Sequence, residues 1–114
     1  MFRDTGASRT GLGAWWWQRL TALYIAAFLI LGVGLLAVAP PADFAEWRGW
    51  LASGGGRVLL ALFVVATGVH AYLGLRDIFM DYVPTGTVRV VALGGWTAAV
   101  AAYMAWGLLW VAGL

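Results

Sequence analysis

The chain has 114 residues, of which 63% are hydrophobic and 11% are charged, and its mean hydropathy is +0.86. A soluble domain of this length cannot bury so much apolar surface, so the composition predicts an integral membrane protein. Seven basic residues, all arginine, and five acidic residues leave a net charge of +2. That excess is too small and too scattered for a nucleic-acid-binding surface. The chain has no cysteine, which excludes disulfides, thiol catalysis and iron–sulfur ligation by this chain.

Residues 1–13 are polar, contain glycine and show no helical period, so we expect an exposed, loosely ordered arm. Such an arm either docks on a soluble partner or is a free tail, which is the usual case. It does not resemble a signal peptide, because the apolar run that follows is too long for the hydrophobic region of one.

The first predicted membrane span covers residues 15–39, which are apolar except in the first turns. That length crosses a hydrocarbon core of about 30 Å with some tilt. Trp15–Trp17 suit the level of the lipid headgroups, where an aromatic ring is half hydrated. Arg19 lies one turn further in, where a charge is costly unless it reaches back to the interface or meets an anion. Two interpretations of Arg19 stay open, a snorkelling side chain and a clamp for an anionic cofactor group.

The segment after this span is predicted to lie on the membrane surface. Pro40–Pro41 end the first helix, because proline cannot continue the helical hydrogen bonding. Residues 42–57 then carry both charges and an apolar series with helical spacing, which is typical of a short interfacial helix. The apolar series is Phe44, Trp47 and Leu51. We expect Gly54–Gly56 to close this helix.

Two further apolar runs predict membrane spans at residues 58–79 and 88–112. The second span is apolar until His70, and the third has Arg89 as its only charged residue. Residues 84–87 form the turn between them, because proline disfavours a helical residue before it and glycine permits the bend. The predicted fold class is therefore an all-α integral membrane protein with three transmembrane helices and a short interfacial helix.

The histidine of the second span and two aspartates that follow it fall on one helix face together with a glycine. His70, Gly74, Asp77 and Asp81 follow the spacing i, i+4, i+7 and i+11. At about 1.5 Å per residue, Asp81 lies about 16 Å along the axis from His70. This face can therefore serve one site within the membrane and another at its edge.

The distribution of arginine predicts the topology. The side that holds the N-terminus and the second loop has Arg3, Arg9, Arg19, Arg76 and Arg89, whereas the opposite side has Arg48 and Arg57. By the positive-inside rule, the N-terminus is cytoplasmic and the C-terminus is periplasmic. His70 then lies in the inner half of the membrane, and Tyr82 lies at the cytoplasmic boundary, near Arg19 in depth.

A histidine at membrane depth needs a partner, because an unpaired imidazole in hydrocarbon loses its hydrogen bonds. His70 is open to three interpretations: a packing residue bonded to a carbonyl, a proton relay, or a ligand of a metal or haem. Ala66, Gly68, Ala71 and Gly74 surround it with small side chains. A flat macrocycle needs such clearance, and so does a closely packed helix, so this pattern favours haem only modestly. One histidine supplies one axial bond, so a six-coordinate haem requires a second chain.

The order of these residues resembles a known family. His70, followed eleven positions later by Asp81-Tyr82 and then by Pro84, is similar to the small cytochrome b membrane anchor, the D subunit, of succinate:quinone oxidoreductase (respiratory complex II). The three-span plan covers nearly the whole chain. The segment Gln18-Arg19-Leu20-Thr21-Ala22 is a second, weaker match.

The resemblance implies a role for four residues. His70 corresponds to an axial ligand of haem b, and the other ligand comes from a histidine of the larger C anchor subunit. Tyr82 corresponds to the tyrosine that hydrogen-bonds a carbonyl of ubiquinone, and Asp81 to the acid that supports the quinone pocket or its proton supply. Arg19 falls where family members place an arginine near the haem propionates.

The resemblance also implies partners and a location. The chain would be a non-catalytic subunit of the bacterial inner membrane, assembled with the C anchor, an iron–sulfur subunit and a flavoprotein. Electrons from succinate would pass through a flavin and three iron–sulfur clusters and reach quinone at the cytoplasmic side.

Two other classes of protein remain possible from the residues alone. A small assembly or oligomeric membrane protein without a cofactor needs only the three spans. A proton-coupled transporter would use His70, Asp77 and Asp81 as a relay, but the chain has no inverted repeat.

Overall fold

The computed structural model describes the backbone of residues 4–83 and 86–114 and the side chains of residues 12–83 and 86–114. In these ranges the chain is helical and has no strand. The helices are α1 (Asp4–Val38), α2 (Phe44–Ala52), α3 (Gly54–Tyr82) and α4 (Thr87–Ala112). Helices α1, α3 and α4 contain apolar stretches of 27, 29 and 26 residues, each long enough to cross a membrane. The predicted fold class, three long apolar helices and one short helix, is confirmed.

The first helix begins earlier than expected. Residues 4–13, for which we expected an irregular arm, are helical, whereas residues 1–3 lie outside the described part of the chain. Once a helix is nucleated, each added residue contributes a hydrogen bond, so the helix of the span continues into the preceding sequence. The 35 residues of α1 extend about 52 Å at 1.5 Å per residue, beyond the 40–45 Å of a whole bilayer. Helix α1 is therefore longer than a bilayer is thick.

Helix α2 is shorter than the predicted segment and is held by its N-terminal side chains. The carboxylate of Asp43 accepts a hydrogen bond of 2.9 Å from the backbone N–H of Glu46. The carboxylate of Glu46 in turn accepts one of 2.6 Å from the N–H of Ala42. The first bond satisfies an N–H group of the first turn that has no carbonyl partner within the helix, and the second fastens the residue before the N-cap to that turn.

The glycine run that follows α2 is helical, which corrects our expectation that it closes the interfacial segment. Gly54–Gly56 form the first turn of α3, and Ser53 joins the two helices. Ser53 Oγ donates to the carbonyl of Trp50 at 2.7 Å and accepts from the N–H of Gly56 at 3.0 Å. Because one hydroxyl caps the end of α2 and the start of α3, the chain turns without a longer loop.

The turn between α3 and α4 is only partly described, since Pro84 and Thr85 lie outside the described residues. Gly86 has a φ of 87°, which a side chain would disfavour, and Thr87 begins α4. The expected role of glycine in this bend is therefore confirmed.

Helix α3 packs against both α1 and α4. On its α4 side, a Cβ added at Gly68 would lie 2.5 Å from Met104 Cγ, and one added at Gly107 would lie 2.7 Å from Val64 Cγ1. Glycine thus sets the short distance between these two helices, as small residues do in membrane bundles. The buried apolar residues belong to α3 and α4: Val64, Ala66, Gly68, Val100 and Val111.

The outer surface is apolar. Large side chains on α1 such as Ile30 and Leu31 are 70% and 72% exposed, and no large side chain in the described residues is fully buried. On the inner side of α1, Phe28 stacks on Phe63 of α3 with ring centroids 4.4 Å apart. Such an exposed apolar surface needs lipid or another membrane subunit to cover it.

Candidate functional site

The single histidine contacts a hydroxyl of the neighbouring helix. Nδ1 of His70, on α3, lies 3.3 Å from Oγ1 of Thr21, on α1. Thr21 is only 6% exposed and is the one buried polar side chain among the described residues. Its Oγ1 also lies 2.7 Å from the carbonyl oxygen of Trp17 and 3.2 Å from that of Gln18. One ring nitrogen of His70 is therefore engaged by α1, so a ligand would bind at the other, Nε2.

The next turn of α3 is also covered by α1. A Cβ added at Gly74 would lie 3.4 Å from Nε2 of Gln18, so the glutamine side chain packs over this glycine. Oε1 of Gln18 is buried and has no hydrogen-bond partner among the described residues. A buried acceptor without a donor is costly, so this face has an open position for a hydrogen-bond donor.

Two of the small residues around His70 contact neighbouring helices of this chain. Gly68 faces Met104 of α4, and Gly74 faces Gln18 of α1. The sequence left two interpretations open for them, clearance for a macrocycle and close approach of helices. At Gly68 the structure favours the second, whereas the 3.4 Å distance at Gly74 is an ordinary van der Waals contact and favours neither interpretation.

A polar cleft lies beyond Gly74, toward the end of α3. It is formed by Gln18, Arg19, Arg76 and Asp77, together with Ala14 and Trp15, and encloses about 280 Å³. Arg76 Nη2 donates to Asp77 Oδ1 at 3.1 Å, and both side chains are partly exposed. The guanidinium of Arg19 lies 5.0 Å from the centroid of the Trp15 ring. Two guanidinium groups and one carboxylate line this cleft, which leaves one positive charge uncompensated and suits an anionic group.

The predicted helix face is partly confirmed. His70, Gly74 and Asp77 all lie on the side of α3 that meets α1. Asp81 is exposed, and Tyr82, the last residue of α3, is 80% exposed. Neither residue is among those that line the polar cleft with Arg19.

Sequence reasoning missed the role of Arg89, which we treated only as a charge beside the second loop. Its Nη2 donates to the carbonyl oxygens of Met80 at 2.8 Å and Val83 at 3.2 Å. These are carbonyls at the C-terminal end of α3, where a cation is favourable because helical partners are missing. Arg89 therefore ties the end of α3, including Tyr82, to the first turn of α4.

Thr21 and Gln18 were also missed as partners of α3. Both are polar residues in an otherwise apolar span, and that is the signal that the sequence offers. Their contacts depend on the register between α1 and α3, which no local pattern specifies.

No group of three histidine, cysteine, aspartate or glutamate side chains within residues 12–83 and 86–114 could hold a metal ion. In this part of the chain, His70 is the candidate ligand for a metal.

Comparison with known proteins identifies the family. The model of the succinate dehydrogenase/fumarate reductase transmembrane subunit family matches residues 2–111. The chain belongs to this family. A protein of Coxiella burnetii named succinate dehydrogenase hydrophobic membrane anchor subunit is 25% identical over 107 residues, which cover 92% of this chain and 93% of that protein. The resemblance based on His70, Asp81-Tyr82 and Pro84 is thus confirmed at the level of the family.

This member of the succinate dehydrogenase/fumarate reductase transmembrane subunit family is a membrane anchor subunit. Its three long apolar helices fit a multi-pass membrane protein. Family membership favours the anchor-subunit interpretation over the assembly protein and the transporter that the sequence left open.

Proposed function

We propose that this anchor subunit supplies one axial ligand of a haem b and part of a ubiquinone site in a bacterial succinate:quinone oxidoreductase. The observation that carries the proposal is the position of His70 on α3, where Thr21 of α1 engages one ring nitrogen. A metal-ligating histidine usually binds the metal through one ring nitrogen and makes a hydrogen bond through the other.

The residues present fit a haem. His70 would bind the iron through Nε2, and the second axial ligand would be a histidine of the larger C anchor subunit. Haem b, when bound, supplies a one-electron redox centre in the membrane. The guanidinium of Arg19 would pair with a propionate at the polar cleft, where Arg76 adds a second cation.

Tyr82 and Asp81 would form this chain's part of the quinone site. Reduction of a quinone to a quinol takes two electrons and two protons, so the site must adjoin a proton source. The exposed hydroxyl of Tyr82 would donate a hydrogen bond to a quinone carbonyl and stabilise the charge that develops on its oxygen. The neighbouring carboxyl group of Asp81, also exposed, would relay protons from the aqueous side.

The proposal includes an orientation and partners. With the N-terminus in the cytoplasm and the C-terminus in the periplasm of the inner membrane, the end of α3 reaches the cytoplasmic boundary. There it would adjoin the iron–sulfur subunit, which in turn carries the flavoprotein. The exposed apolar face of α1, which includes Ile30 and Leu31, suits membrane lipid or the C anchor subunit.

The haem assignment is tested with His70→Ala in the purified complex. The reduced b-type absorption bands should disappear or change shape, because the iron loses its ligand from this chain. Tyr72→Phe, two residues along the same helix, is the matched control and should leave the bands unchanged. Unaltered bands in an assembled His70→Ala complex would refute the haem assignment.

The quinone assignment is tested with Tyr82→Phe. Loss of one hydrogen bond worth about 1.4 kcal/mol should slow quinone reduction about tenfold. Succinate oxidation with an artificial acceptor should be unaffected. Tyr103→Phe removes a hydroxyl that bonds Thr67 instead and should not slow quinone reduction. Equal loss of both activities in Tyr82→Phe would contradict a specific role at the quinone.

A further inference from the structure

We infer that Thr21 is the positioning residue of His70: its hydroxyl oxygen accepts a hydrogen bond from Nδ1–H and thereby leaves Nε2 as the iron-binding nitrogen. This inference rests on the proposed haem ligation and adds a residue to it.

The hydroxyl of Thr21 has one proton, and the geometry indicates where it points. Oγ1 lies 2.7 Å from the carbonyl oxygen of Trp17, a separation that two oxygen atoms adopt when a proton lies between them. Threonine in a helix commonly donates to the carbonyl four residues earlier in this way. The proton is therefore directed at Trp17, and the lone pairs of Oγ1 face away from it.

The imidazole must then be the donor of the contact between the two side chains. Nδ1 of His70 lies 3.3 Å from Oγ1, and a hydroxyl that has already donated can only accept. In a neutral imidazole one nitrogen carries the proton and the other a lone pair. With the proton on Nδ1, the lone pair is on Nε2, as binding of iron at Nε2 requires.

Burial gives this hydrogen bond its importance. Thr21 is 6% exposed, so water has little access to replace the hydroxyl oxygen. A ring nitrogen that donates to a fixed acceptor holds the plane of the imidazole and makes the other nitrogen more basic. A more basic axial ligand stabilises oxidised iron and lowers the midpoint potential of a haem. Thr21 would thus influence both the retention and the potential of the haem without contacting it.

The test replaces the hydroxyl while retaining the shape of the side chain. In the purified complex, Thr21→Val should raise the midpoint potential of the haem. It should also speed transfer of the haem to an excess of a haem-accepting apoprotein about tenfold, because a hydrogen-bond partner of a ligating histidine is worth about 10- to 100-fold in metal affinity. Thr21→Ser restores the hydroxyl and should return both values toward those of the unmodified complex. Thr21→Ala tests the same loss with a smaller side chain if Thr21→Val does not assemble.

Thr67 provides a matched control on α3. Its Oγ1 bonds the carbonyl oxygens of Phe63 at 2.8 Å and Val64 at 3.0 Å, which repeats the bonding of Thr21 within its own helix. Its partner on the neighbouring helix is the hydroxyl of Tyr103, not a histidine. Thr67→Val should therefore leave the midpoint potential and the transfer rate unchanged.

The outcomes separate this inference from the proposed function. If the bands survive in His70→Ala, the haem assignment itself fails. If His70→Ala removes the bands but Thr21→Val leaves potential and transfer rate unchanged, only the role of Thr21 is overturned. If Thr21→Ser alters the haem as much as Thr21→Val does, side-chain packing causes the effect and the role of the hydroxyl is overturned.

Discussion

The close contact between α3 and α4 predicts that a larger side chain at Gly107 destabilises the protein. A methyl group at Gly107 would lie 2.7 Å from Val64 Cγ1 and 3.2 Å from Val64 Cγ2, well inside van der Waals contact. Val64 is buried and β-branched, so its side chain has few rotamers into which it can withdraw. Gly107→Ala must therefore push the two helices apart, and overpacking of this kind costs about 1–3 kcal/mol.

The control for this substitution is Gly94→Ala on the same helix. No heavy atom lies within 4 Å of a Cβ built at Gly94. Both substitutions gain about 0.5–1 kcal/mol from the higher helix propensity of alanine, so the gain cancels when they are compared. The difference between the two variants then measures the steric cost alone.

The assay is the thermal or denaturant unfolding of the purified complex in detergent, with helix content as the signal. Gly107→Ala should unfold at a lower temperature or denaturant concentration than Gly94→Ala, with a difference of about 1–3 kcal/mol in the free energy of unfolding. Equal stability of the two variants would show that Val64 does not limit the approach of α4, and the reasoning would be refuted.

Three other substitutions test contacts of single side chains. Arg89→Gln should destabilise the end of α3 by about 1–2 kcal/mol, because the carbonyl groups of Met80 and Val83 lose a charged donor; faster amide hydrogen exchange in the last turn of α3 measures this. Ser53→Ala should cost about 1 kcal/mol in the free energy of unfolding, since the start of α3 loses its cap, and unchanged stability would contradict the capping role. Arg19→Gln should lower the midpoint potential of the proposed haem, because a cation beside a propionate favours the reduced, less positive centre. A potentiometric titration of the haem bands measures this potential, and Arg57→Gln, at the other end of α3, is the control.

The large features of the fold follow from the sequence because they depend on composition and length. An apolar run of more than 20 residues has few alternatives to a membrane helix, so the spans at residues 58–79 and 88–112 correspond to α3 and α4. The residues at which the helices begin and end were less predictable. Gly54–Gly56 look like a loop by propensity, but the hydroxyl of Ser53 caps them into the first turn of α3.

Some features of the candidate site were likewise predictable from the sequence and others were not. His70 stands out in the sequence because it is the only histidine and lies at membrane depth. The contact with Thr21 was not predictable, because it depends on how α1 and α3 are aligned. The small residues near His70 show the limit of pattern arguments, since close helix packing and cofactor clearance require the same side chains. At Gly68, the position of Met104 decides for close helix packing.

The two interfaces of α3 lie on different sides of the helix, and this separation can be tested. Each residue turns the helix by about 100°, so His70, which meets α1, is roughly a third of a turn away from Val64, which meets Gly107 of α4. Since the contacts share no side chain, their free-energy effects should add within about 0.5 kcal/mol. A complex with both Thr21→Val and Gly107→Ala should combine the haem potential of the first variant with the lower stability of the second. A potential that changes in Gly107→Ala alone would show that the spacing of α4 is transmitted through α3 to His70, and the two interfaces would then be coupled.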